Sequence, residues 1–352
     1  MGLRWREFLA PGPAGARSKF DLMRFGLFIP PQGWRLDLVG IDPANQWEVM
    51  SSVANRAESA GWDSVWVYDH FHTVPLPTDE ATHEAWTLVS ALAATTSRVD
   101  IGQMCTAMSY RNPMYLAKVA ATADLISGGR VQMGIGGGWY EHEWRAYGYG
   151  FPPSAGERLA RLDEGVQIMK QAWETGRATL DGKHYTVNDA ICQPQPTAGK
   201  LPLWIAGGGE KKTLRIAAQY ADYTNFDGTP EGFAHKSSVL QQHCVDLGRD
   251  FDSIVRSSNY NVILGETDAT SSASSPISRR GGWRRSSGRK RRRAAWARFA
   301  GCLRSEPPEQ VADNLRGLKA AGMTYGIFYF PNIAHDREDL ELFEEHVVPA
   351  LR

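Results

Sequence analysis

Arg98-Val99-Asp100-Ile101-Gly102-Gln103-Met104-Cys105-Thr106 reads as a strand, and the chain then breaks at Tyr110-Arg111-Asn112-Pro113. A helix-like run with Met114, Ala117, Ala121 and Leu125 follows, and Gly128-Gly129 turns it into a second strand, Arg130-Val131-Gln132-Met133-Gly134-Ile135. That strand leaves through Gly136-Gly137-Gly138-Trp139, and the whole stretch closes at Tyr147. Strand, helix and strand in about 50 residues make a βαβ unit, which implies a parallel sheet. The loops leaving such strands share one face, where parallel α/β folds bind ligands.

Working outward, Arg24-Phe25-Gly26-Leu27-Phe28-Ile29 is a first strand, and Trp47, Met50, Ala54 and Ala57 mark a helix that Gly61 stops. Ser64-Val65-Trp66-Val67-Tyr68 is a strand running into Asp69-His70-Phe71-His72, and Glu84 to Thr96 is helical. Beyond the central unit, Leu159, Leu162, Val166, Met169 and Trp173 define an amphipathic helix. Asp181-Gly182-Lys183-His184-Tyr185 turns like a hairpin. Pro202-Leu203-Trp204-Ile205-Ala206 is a strand that ends in Gly207-Gly208-Gly209, with a helix expected from Lys211 to Tyr220. Strands over 221–225, 253–264 and 324–330 and helices over 230–247, around Val311, Leu315 and Leu318, and over 336–350 complete the series. About eight strands alternating with helices predict an α/β fold, a (β/α)8 TIM barrel with insertion segments.

A chain of 352 residues with 42% apolar content can bury a large core. No apolar run approaches the ~18 residues that span a bilayer, and residues 1–22 lack the apolar block of a secretory signal, so the expectation is a soluble, cytoplasmic protein. Residues 1–22 read as a disordered N-terminal extension, with 23–352 as one barrel domain. Cys105, Cys192, Cys244 and Cys302 form no Cys-x-x-Cys pair, which argues against a structural zinc site or a disulfide framework. The net charge of zero is uneven: residues 269–305 hold 11 of the 39 Lys and Arg and no acid, leaving 28 basic against 39 acidic residues elsewhere. The irregular segment 268–305 is open to three readings: a disordered basic insertion, a stretch read in a shifted frame, or a nucleic-acid patch. With an acidic body, no nucleic-acid partner is expected.

Several loops offer chemistry. His70 follows the second strand and can act as a base or hydrogen-bond partner near neutral pH, with Asp69 fixing its orientation; its bland alternative is a loop histidine at a strand end. Thr106, Met108 and Asn112-Pro113 lie after the third strand, where they seat a flat ring or simply start a helix. Gly136, Gly137 and Gly138 permit close backbone approach but depart from the dinucleotide fingerprint, while Trp139 and His142 are either packing residues or ligand contacts. Ala206, Gly207, Gly208 and Gly209 join a strand to a helix, so main-chain N–H groups there can hold a phosphate, with Lys211, Lys212 or Thr213 adding contacts or remaining solvated.

These residues together resemble the bacterial luciferase-like monooxygenase superfamily, and within it the coenzyme F420 (deazaflavin)-dependent oxidoreductases. The carriers are Arg24-Phe25-Gly26-Leu27-Phe28, Ser64-Val65-Trp66-Val67-Tyr68-Asp69-His70-Phe71, Tyr110-Arg111-Asn112-Pro113, Ala121 to Arg130, Gly134-Ile135-Gly136-Gly137-Gly138-Trp139 and Trp204-Ile205-Ala206-Gly207-Gly208-Gly209. The resemblance runs from Met23 to about Thr267 and resumes at Glu306. It implies a TIM barrel holding a flavin or deazaflavin at its carboxyl end. The ring would rest on a bulge near Thr106 to Met108, often with a non-proline cis peptide, the phosphate would lie by Gly207 to Gly209, and His70 would stand near the reacting carbon. Relatives place a carboxylate after the fourth strand; Trp139 takes that place here, with Glu141 or Glu143 as substitutes. The resemblance implies hydride transfer between F420 and a small organic substrate, the alternatives being an FMN-dependent monooxygenase and a non-catalytic flavin-binding protein. Homodimer formation is a family expectation.

Overall fold

The structure, a computed structural model, describes residues 23–30, 37–74, 76–226, 228–264 and 306–352. The expectations for 1–22 and 268–305 lie outside the described residues.

Eight strands close into a parallel ring in the order β1 (Arg24–Phe28), β2 (Ser64–Val67), β3 (Asp100–Gln103), β5 (Val131–Gly136), β8 (Leu203–Ala206), β9 (Tyr223–Asn225), β10 (Val255–Asn261) and β11 (Tyr325–Tyr329), which pairs back with β1. Among the described residues, the helices that cover the ring are α1 (Pro43–Ser59), α2 (Ala85–Thr95), α3 (Pro113–Ser127), α4 (Glu141–Ala146), α5 (Ala155–Thr175), α6 (Thr213–Tyr220), α7 (Pro230–Leu247), α8 (Pro308–Ala320) and α9 (Glu338–Leu342). The chain is thus a (β/α)8 barrel, as its alternation predicts. The hairpin expected at Asp181 is the antiparallel pair β6 (Arg177–Asp181) and β7 (Thr186–Ile191), which stands outside the ring.

Local signals set the helix boundaries. Asn112 accepts from the N–H groups of Met114 and Tyr115, Pro113 occupies the first turn, and Gly128 ends α3 at φ 71°. Asp42 and Pro43 start α1 in the same way. Periodicity misassigned two faces: Trp47 on α1 and Leu125 on α3 point outward, 38% and 56% exposed, while Val53 and Ala123 are buried. Helix α6 begins at Thr213 rather than Lys211.

Inside the ring, Phe28, Trp66, Met104, Trp204, Tyr325, Ile327 and Tyr329 pack together. Trp66 fits because its neighbours on the adjacent strands are glycines: a Cβ on Gly26 or Gly102 would come within 2.5 Å of its indole. Burying each large apolar side chain contributes about 1.5–3 kcal/mol, so this aromatic layer plugs the barrel as a core.

The carboxyl end is shaped by a bulge. Gly102 pairs with Gln132 and Thr106 with Ile135, leaving three residues on the β3 side against two on β5. The extra residue lies within Gln103–Cys105, where the Met104–Cys105 peptide is cis, and the short β4 (Thr106–Ala107) resumes pairing beyond it. Gly134 makes the bulge possible, since a Cβ there would lie 1.8 Å from the Gln103 carbonyl oxygen. The bulge lies just ahead of the Thr106 to Met108 stretch expected from the sequence.

Candidate active site

A cavity of about 210 Å³ opens at the carboxyl ends of the strands. Its walls come from the loop after β2 (Tyr68, Asp69, His70), the bulge (Met104, Cys105, Ala107), Tyr110, the loop after β5 (Gly138, Trp139, Tyr140), Glu143, Ala206, Asn225 and Asn259. A wider cleft of about 590 Å³ shares His70 and Tyr110 with it and leads outward past Arg111, Tyr147 and Tyr149.

Glu143, in the first turn of α4, is fully buried and surrounded by donors. His70 Nδ1 lies 3.1 Å from both carboxylate oxygens, Phe71 N–H donates to Oε1 at 2.8 Å, and the Tyr110 hydroxyl donates to Oε2 at 2.9 Å. Burial pushes the Glu143 carboxyl up, but the bonds from His70, Phe71 and Tyr110 outweigh it and hold the group below the usual carboxylate range. Burial, and then the Glu143 charge, raise the Tyr110 hydroxyl, which stays a donor. An ionised carboxylate only accepts, so His70 donates from Nδ1, and its Nε2 has no partner among the described residues.

Asp69 does not orient His70. Its carboxylate takes a two-pronged pair from Arg111 at 2.7 and 2.8 Å and the Ala107 N–H at 2.9 Å, fastening the β2 loop to the bulge. Arg111 also bonds Glu84, the N-cap of α2. Tyr110-Arg111-Asn112-Pro113 therefore does three jobs in order: a donor to Glu143, a clamp on Asp69 and a cap on α3.

The remaining expected residues divide. Gly138, at φ 69°, and Trp139, 62% exposed and edge-on to His70 at 6.1 Å, line the cavity, as does Ala206. A Cβ on Gly136 would meet Cys105 Sγ at 2.8 Å, so that glycine makes room for the bulge, and Gly137 packs on Leu159 of α5. Thr106 and Met108 are not among the lining residues. Thr106 is buried with its hydroxyl on Gln103, and Met108 docks against Gly165 of α5, where a Cβ would strike its sulfur. His142 bonds His72 at 3.1 Å beside the cavity rather than on its wall. Cys105 lines the cavity instead; burial, with Asp69 nearby, pushes its thiol up to about 12, so it is neutral.

Gly207, at φ 115°, to Gly209 leave Ala206 at the same end of the barrel as His70. The N–H groups of Gly208 and Gly209 have no acceptor among the described residues, and the Lys236 side chain passes 3.5 Å from where a Gly208 Cβ would be. Lys236 is held at 2.5 Å by Glu210, while Lys212 bonds the Gly156 carbonyl. Free N–H groups in a glycine turn ahead of a helix and beside a cation suit a phosphate.

Residues 23–325 match the luciferase-like monooxygenase family. The chain belongs to that family. A pyrimidine monooxygenase (RutA) of Shigella flexneri serotype X (strain 2002017) is 30% identical over 258 residues, 70% of this chain, and this chain spans 65% of its length. Among solved structures, an F420-dependent secondary alcohol dehydrogenase holding an F420-acetone adduct superposes with a TM-score of 0.73 at 20% identity, covering 94% of this chain and 99% of the other. EDTA monooxygenase (EmoA) from Chelativorans sp. BNC1 superposes with a TM-score of 0.72 at 16% identity, over 94% and 93%. No helix among the described residues is long and apolar enough to cross a membrane.

Proposed function

We propose that the protein is a flavin-dependent monooxygenase that holds FMN at the carboxyl end of its barrel and acts on a small organic substrate. The observation that carries the site is the His70–Glu143 pair on the wall of a cavity whose other walls are a bulge, a glycine turn and two asparagines. Bound FMN would supply oxygen activation. The bulge within Gln103–Cys105, with Ala107 beyond it, would support the ring, and the free N–H groups of Gly208 and Gly209 would hold the phosphate, with Lys236 nearby. His70 would accept or donate a proton at Nε2 while Glu143 keeps Nδ1–H in place and balances the charge of the imidazolium.

The sequence alone favours F420 first. The weight moves to FMN because the 30%-identical relative is named a monooxygenase, and a deazaflavin carries hydride only. The second reading, hydride transfer with F420, draws on the same pair: a hydride moving to or from a carbinol carbon needs a proton partner at oxygen, and Nε2 is placed to be one. Incubation with reduced FMN and labelled dioxygen separates them. Label in the product supports oxygen transfer; dioxygen-independent reduction of F420 by alcohols supports the second reading.

A further inference from the structure

Asn225, at the end of β9, and Asn259, on β10, build a polar part of the cavity wall whose hydrogen-bond direction can be assigned. The Ser257 hydroxyl donates to the Thr224 carbonyl at 2.7 Å, and a carbonyl can only accept. Ser257 Oγ is thereby left as an acceptor, so Asn225 turns Nδ2 toward it at 3.0 Å. The second hydrogen on Nδ2 goes to Asn259 Oδ1 at 2.9 Å. Both hydrogens of one amide are then spent, and the order is fixed from the main chain outward. What remains, without a partner among the described residues, is Asn225 Oδ1 as an acceptor and Asn259 Nδ2 as a donor. Asn225 is only 7% exposed, so its unmatched oxygen has little but the cavity to face.

We propose that Asn225 and Asn259 read a lactam edge, a ring N–H beside a ring carbonyl, on the planar group that enters this cavity. The ring N–H donates to Asn225 Oδ1 and the carbonyl accepts from Asn259 Nδ2. The inference rests on the proposed function in that the cavity takes a flavin-type ring. Flavin and deazaflavin rings carry such an edge, and so does a pyrimidine-type substrate. Residues at these positions would then select for the imide face of the bound molecule, whichever of the two supplies it.

The test replaces the donor. Asn259→Asp keeps an oxygen for Asn225 Nδ2 but turns a second oxygen toward the ring carbonyl, and Asn259→Leu removes the group altogether. The full chain is titrated with FMN, with F420, and with uracil before and after loading with cofactor, and a thermal melt checks folding. Asn259→Asp is expected to weaken binding of the lactam-bearing probe by at least roughly tenfold, with Asn259→Leu weaker than wild type and tighter than Asp. The visible bands of the bound ring should also move. A shift in the FMN or F420 constants assigns the edge to the cofactor; an unchanged cofactor constant with weaker uracil binding assigns it to the substrate. Unchanged binding of all three probes by a folded variant overturns the inference. If wild type binds neither FMN nor F420, the proposed function falls, and the uracil titrations alone decide the lactam reading. Binding of none of the three overturns both.

Discussion

His70 Nδ1 stands 3.1 Å from each oxygen of Glu143, although the two residues are 73 positions apart in the chain. The loop after β2 and the first turn of α4 are thereby locked together at the mouth of the barrel. The lock also places a His70 proton on Nδ1, which leaves Nε2 as the atom that the proposed function uses.

Glu143→Gln should be costly. The substitution keeps the shape but exchanges one acceptor for a donor in a buried site already faced by His70, Phe71 and Tyr110. Loss of charge-assisted bonds of this kind costs about 1.5–3 kcal/mol each, so denaturant unfolding should show a loss of at least ~2 kcal/mol. Tyr110→Phe, which removes one donor to the ionised carboxylate, should cost about 1.5–3 kcal/mol. Equal stability of all three proteins would mean the carboxylate is not held as described.

His70→Ala removes the proton carrier and leaves the bulge and glycine turn intact. Turnover should fall by a factor on the order of 10²–10⁴ while the cofactor dissociation constant stays within a few-fold. Wild-type turnover would remove His70 from the mechanism.

Arg111→Met strands the Asp69 carboxylate, which is almost entirely buried. Breaking such a pair costs about 3–5 kcal/mol. The double variant with Asp69→Asn should lose clearly less than the sum of the single losses, and chemical denaturation of the four proteins measures the coupling. Additive losses would show that the two residues act apart.

His72 gives a pH dependence with a definite sign. Burial lowers its proton affinity; Glu143 at 3.7 Å works against that, and His142 and His70 add to it. Tyr140 and Tyr147 are its other ring neighbours. The unfolded chain therefore takes up this proton more readily, and stability is lost as the pH falls through the ordinary histidine value of about 6.5. Melting temperatures between about pH 7.5 and 5.5 should drop less in His72→Asn than in wild type. Parallel curves would rule the contribution out.

The barrel was legible because it is written in periodicity and in glycine and proline punctuation, and the end of the barrel that carries His70 and Ala206 followed from strand direction alone. Facing was not. The extra residue at Gln103–Cys105 shifts the alternation, so Cys105 and Ala107 line the cavity where Thr106 and Met108 were expected. At the place where the resemblance expects a carboxylate the sequence has Trp139, with Glu141 and Glu143 as substitutes that spacing alone does not rank. The short helix α4 delivers Glu143 to His70, and that choice depends on a tertiary turn that no local pattern encodes. Asn225 and Asn259 carry no sequence motif that marks them, although Ser257 and Asn259 sit two apart on β10 and so share one face.

Equilibrium titration of the purified protein with FMN and with F420, repeated on Ala206→Trp, tests the central claim most directly. Ala206 lines the cavity, so the indole should fill it. One of the two cofactors is predicted to saturate at one equivalent per chain in wild type and to lose binding in the variant. Failure of both to bind wild type, or unchanged binding once the cavity is filled, would contradict the account.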